Sequence, residues 1–91
     1  MNNAVKAKSS AGIDHFIDIT GETCPLTFVK TKLLLERMRP GETAEVRLKG
    51  REPLENVPRS VRDLGHSVIR IVPESPDAGP FGVHRILLRK E

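Results

Sequence analysis

Among the residue types that perform covalent chemistry, Cys24 stands out as the only cysteine in a chain of 91 residues. Pro25 follows it, and proline is favoured at the first position of a helix, so the thiol is expected at or next to a helix N-cap. Unsatisfied backbone N–H groups and the positive end of the helix dipole there stabilise a thiolate, the nucleophilic form. Such placement draws a cysteine pKa from about 8.5 towards roughly 3.5 to 7.5. Glu22, two residues earlier, opposes this effect. The competing reading is structural, because free cysteines are commonly small buried hydrophobes.

A single cysteine has no internal resolving thiol, so a reactive Cys24 must exchange with another molecule. His15, His66 and His84 are far apart in sequence and lie near strand ends, where they read as surface or structural groups rather than general bases. One cysteine with scattered histidines supplies no zinc ligand pairs, and no metal or other cofactor is expected.

These side chains must be positioned by short elements. FIDIT at 16–20 alternates Ile17 and Ile19 with Asp18 and ends at Gly21, the pattern of a strand. Residues 25–38 lack an internal Gly or Pro and stop at Arg39-Pro40-Gly41, which predicts a helix. Ala44, Val46 and Leu48 alternate with Glu45, Arg47 and Lys49, as in a half-buried strand. Val57, Val61 and Leu64 predict a short helix over 56–64, with Pro58 in its first turn and Gly65 just past its end. Residues 66–73 and 82–90 read as two last strands joined by a turn containing Pro76, Asp77, Gly79 and Pro80. The order β-α-β-α-β-β predicts an α/β sandwich of two layers, with two helices on one face of a four-stranded mixed sheet. Residues 1–14 are expected to form a flexible N-terminal tail and 15–91 the folded domain.

The formal charge of +3 invites a nucleic-acid reading. Lys6 and Lys8 carry two of these charges in the expected tail, however, which leaves residues 13–91 nearly neutral. Three phenylalanines are the only aromatics and offer few platforms for base stacking. Direct nucleic-acid binding is therefore not expected. Segment 1–14 lacks the apolar run of a secretory signal, and no stretch is long enough to span a bilayer. The expected location is the cytoplasm, where a free thiol persists.

The stretch Asp18-Ile19-Thr20-Gly21-Glu22-Thr23-Cys24-Pro25 resembles the D-x-x-G-x-x-C-P signature that opens the TusA/SirA-like family of sulfur carriers. Pro40-Gly41-Glu42, Glu52-Pro53, Asn56-Val57-Pro58 and Gly65-His66 fall in the same order and spacing as later landmarks of that family. The resemblance spans about residues 14–90. It implies a sandwich similar to the C-terminal domain of bacterial translation initiation factor three. It also implies that Cys24 accepts sulfur as a persulfide from a cysteine desulfurase or related donor and passes it to an acceptor protein. Family recipients include tRNA thiolation, molybdenum-cofactor pathways and sulfur oxidation. Asp18, Gly21, Pro25 and Lys32 match family positions and are implied as supporting residues. Thr27 replaces the usual second proline of C-P-x-P, and Thr23 stands where a basic residue is common.

At about 100° per residue, Phe28, Thr31, Leu35 and Met38 share one side of the first helix, and Leu26, Val29 and Leu33 nearly the opposite side. The family register puts the first set in the core. The second is then expected to form an apolar stripe running from the thiol, for partner docking or for cover by loops or the tail. The alternative function is a regulatory or RNA/protein-binding module using Arg47, Lys49, Arg51, Arg59 and Arg62. Glu52, Glu55 and Asp63 interrupt that cluster, and a solvated charged face explains it equally.

Overall fold

The computed structural model describes residues 13–23 and 25–91, in the order β1 (His15–Asp18), α1 (Leu26–Arg37), β2 (Thr43–Leu48), α2 (Arg51–Asp63), β3 (Ser67–Pro73) and β4 (His84–Arg89). Residues 1–12 of the expected tail and Cys24 itself lie outside the described residues. Strand order in the sheet is β1-β2-β4-β3, with β1 parallel to β2 and the other neighbours antiparallel. This is the expected four-stranded mixed sheet. A parallel pair cannot be closed by a tight turn, and α1 supplies the crossover between β1 and β2.

The period-2 pattern of β2 appears directly as burial. Ala44, Val46 and Leu48 are fully buried, and their antiparallel partners Leu88 and Ile86 complete the inner face. Val57 and Val61 of α2 and Leu34, Leu35 and Met38 of α1 or its end close the core against that face. Thr27 and Thr31 are also buried, and the Thr31 hydroxyl donates to the Thr27 carbonyl at 2.8 Å. That bond lets a polar side chain enter the core without an orphaned donor. The C-terminal end of α1 is held by Lys90, whose Nζ donates to the Leu35 carbonyl at 2.5 Å.

The second helix differs from its expected bounds. It begins at Arg51 rather than 56, with Pro53 in its first turn and Pro58 inside it. Gly50 precedes it at φ 104°, a conformation that favours glycine. Pro53, not Pro58, is therefore the proline that suits the helix start. Pro58 removes one backbone donor from the interior, yet the helix continues because Pro53, Val57, Pro58 and Val61 are buried along one side. The strand β1 also ends earlier than expected, at Asp18, although the Ile19 amide still donates to the Arg47 carbonyl at 2.9 Å.

The opposite face of the sheet is open and laced with charge. Arg47 pairs with Glu74 and Asp18, and Arg85 pairs with Glu74 and Glu45. The Arg85 guanidinium also lies 5.9 Å from the centre of the Phe16 ring.

On α1 the two sides of the helix have opposite tolerance. Leu35 is 1% exposed and Leu33 is 51% exposed. Leu35→Asp buries an uncompensated carboxylate and is expected to cost about 4 kcal/mol or more, enough to unfold so small a domain. Leu33→Asp is expected to cost less than about 1 kcal/mol. Thermal denaturation of the two variants checks the assignment, and equal losses would contradict it.

Candidate functional site

The segment that leads to Cys24 is built around Asp18. Its Oδ1 accepts from the Thr20 amide at 3.0 Å and from the Thr20 hydroxyl at 2.7 Å, which turns the chain sharply out of β1. Its Oδ2 takes a 3.0 Å bond from Arg47 on the neighbouring strand. The Thr20 bonds, followed by Arg47, hold the Asp18 carboxyl below its usual range. They stabilise the turn above the ordinary Asp pKa and are lost as pH falls through the depressed value. The Glu22 amide then donates to the Ile19 carbonyl at 3.1 Å and completes the turn. Gly21 lies outside the left-handed region, and a Cβ there would meet nothing within 4 Å. No steric demand explains this glycine.

Pro25 occupies the N-cap of α1, one position before the first helical residue at which the Cys-Pro step predicts it. The expected supply of free helix donors is smaller than foreseen, however. The Leu26 and Thr27 amides both donate to the Thr23 carbonyl, at 2.8 and 3.4 Å. These bonds consume first-turn N–H groups that were expected to face the thiol. Lys30 forms a 2.6 Å ion pair with Glu22, the acid expected to oppose a thiolate at position 24. Lys30 was missed in the sequence because an eight-residue separation across a loop and a helical turn leaves no periodic signal. Lys32, implied as supporting, instead pairs with Glu36 at 3.5 Å within α1.

Leu26, Val29 and Leu33 are 47%, 38% and 51% exposed and lie on the outer side of α1. Thr27, beside them in sequence, is buried. Phe28 is half-buried, and Thr31, Leu35 and Met38 are in the core. The five basic residues of the alternative reading do not share one surface. Arg47 is locked by acids on the open sheet face, Lys49 and Arg51 flank Gly50, and Arg59 donates to Asn56 on α2. His15 bonds to Glu42, and His84 to the Gly82 carbonyl. Among the described residues no group of three or more metal-ligating side chains comes together.

A cavity of about 460 Å³ adjoins the turn. One wall is Thr20–Thr23, after β1; another is Lys49–Pro53, after β2; Phe81 closes a third side. The two loops follow the C-terminal ends of the parallel strands, the usual place for a site in such sheets. Phe81 is anchored by its carbonyl, which accepts from the Gly50 amide at 2.9 Å, and by the Arg51 guanidinium 5.6 Å from its ring centre. Gly82 must be glycine for this loop, since a Cβ would lie 2.1 Å from the Ala78 carbonyl oxygen.

A two-layer sandwich with a cysteine-proline step at the head of its crossover helix defines a small class of proteins. The family model for sulfurtransferase TusA matches residues 15–90, and the chain belongs to that family. A relative from Archaeoglobus fulgidus, provisionally named a sulfur carrier protein, is 46% identical over 58 residues. That match spans 64% of this chain and 66% of the relative's length. A Thermotoga maritima protein of the same provisional name is 40% identical over 60 residues, spanning 66% of this chain and 76% of that protein. The crystal structure of a SirA-like protein from Desulfitobacterium hafniense superposes with a TM-score of 0.67 at 19% identity, over 84% of this chain and 96% of that one, and shares the fold.

The Glu22–Lys30 pair lies close in sequence to Cys24, and its effect on the thiol is testable. The alkylation rate of Cys24 against pH is expected to show a midpoint below about 8.5, the free-cysteine value. Lys30→Ala should raise that midpoint by several tenths of a unit and Glu22→Gln should lower it, in line with removal of one opposite or like charge nearby. A native midpoint at or above about 8.5 would contradict thiolate activation.

Proposed function

We propose that the protein is a sulfur carrier that holds sulfur as a persulfide on Cys24 and delivers it to an acceptor protein. The observation that carries this reading is the family match over residues 15–90, which includes the chain's only cysteine within the Asp18–Pro25 signature. The names of the relatives support the same role. In the uptake step the Cys24 thiolate attacks the outer sulfur of a donor persulfide. The donor S–S bond breaks, a new S–S bond forms on Cys24, and the donor leaves as a thiolate with no net oxidation. Delivery is the same exchange in reverse, with the acceptor thiolate as nucleophile. A cysteine desulfurase fits the donor role, and a pathway such as tRNA thiolation fits the recipient.

Residues around the thiol have distinct parts in this proposal. Asp18 shapes the turn, Gly21 continues it, and Pro25 starts the helix. The exposed stripe of Leu26, Val29 and Leu33 is the docking surface for the protein partners, since it begins two residues after Cys24 in the chain. Thr27 stands in the first turn of α1, where loss of an N–H is tolerated, and its amide makes only a long 3.4 Å contact to the Thr23 carbonyl.

Incubation with a cysteine desulfurase and free cysteine is expected to add about 32 Da to the native protein, reversibly by reductant, and nothing to Cys24→Ser. Intact mass spectrometry reads both. A folded, readily alkylated protein that gains no sulfur from any competent donor would refute the carrier role. Thr27→Pro is expected to retain the native melting temperature within a few degrees and to load sulfur at least as well.

A further inference from the structure

The cavity beside Thr20–Thr23 has a composition that the uptake step with a protein donor does not use. Lys49 and Arg51 line it and have no acidic partner among the described residues; the Arg51 guanidinium lies over the Phe81 ring. Of the two acids in the wall, Glu22 is neutralised by Lys30, and only Glu52 lacks a cation. The wall is therefore net positive, with an aromatic face alongside. Its volume of about 460 Å³ falls in the range of small-molecule sites. Thr23 lines it, and Cys24 is the next residue in the chain.

We infer that this cavity binds a low-molecular-weight persulfide bearing carboxylates, with the carboxylates at Lys49 and Arg51 and the sulfur directed to Cys24. The inference rests on the carrier reading and adds a donor of stated chemistry to it. The Cys24 thiolate takes the outer sulfur of R–S–SH, and the small molecule departs as R–S⁻, so atoms and electrons balance without any oxidant. The cations attract the incoming anion and bind its carboxylates. The Gly50–Phe81 bond and the close approach of Gly82 to Ala78 keep the far wall in place.

The test compares sulfur loading from glutathione persulfide, which is anionic, with loading from cysteamine persulfide, which is cationic. The native protein is expected to favour the anionic donor, and Lys49→Glu/Arg51→Glu to lower the ratio of the two rates about tenfold or more, as for reversal of electrostatic steering. Arg37→Glu, which changes charge at the far end of α1, should leave the ratio unchanged. Unreactive S-methylglutathione should shift the amide resonances of Lys49, Arg51 and Phe81 in the native protein, a readout independent of sulfur chemistry. An unchanged ratio in the folded double variant, or no shift with S-methylglutathione, overturns the cavity assignment while sulfur loading stands. Loading from neither persulfide, nor from a desulfurase, overturns the carrier reading itself and this inference with it.

Discussion

Parallel pairing of β1 with β2 is the constraint from which the rest of the site follows. Two parallel neighbours require a crossover, and the only chain available is the segment that becomes α1. The end of β1 must therefore turn within a few residues into the head of a helix packed on the sheet. Asp18 performs that turn: one carboxylate oxygen binds Thr20 and the other Arg47 of the adjacent strand. The same pairing brings the loop after β2 beside the loop after β1, and the cavity lies between them. Strand order thus accounts for the turn, the helix start and the cavity together.

The two faces of the sheet divide the physical work. The inner face is apolar and holds the helices through Ala44, Val46, Leu48, Ile86 and Leu88. The outer face is held by a chain of acids and arginines from Asp18 to Glu45, in which Glu74 accepts from both Arg47 and Arg85. Hydrogen bonds from Arg47 and then Arg85 hold the Glu74 carboxyl below its usual range, and exposed pairs of this kind contribute modestly, more as a network than singly. Their consequence for the site is positional. Arg47 and Lys30 are engaged by Asp18 and Glu22 of the turn, and the basic residues that line the cavity are Lys49 and Arg51.

Much of this was legible in the sequence, for identifiable reasons. The strict alternation of residues 44–48 specified a half-buried strand, and the Cys-Pro step specified a helix start because proline needs no donor there. The two sides of α1 were separable by angle alone. What escaped was non-local or ambiguous. Pro53 and Pro58 both suit a helix start, and only burial of Pro58 within the helix shows which one opens it. The Glu22–Lys30 pair and the capture of the Leu26 and Thr27 amides by the Thr23 carbonyl depend on how the loop folds back. The cavity joins residues about 30 and 60 positions apart and carries no motif.

Carriage requires both uptake and release, and a labelled-sulfur chase tests the pair most directly. The protein would be loaded with cysteine-derived ³⁴S through a desulfurase, purified, and exposed to an unlabelled acceptor thiol while intact masses of both are followed. Recovery of the label in the acceptor persulfide, with return of the protein to its unloaded mass and no transfer from Cys24→Ser, is the expected result. Retention of the label on the protein, or its loss without appearance in the acceptor, would show that Cys24 binds sulfur without carrying it and would contradict the function proposed.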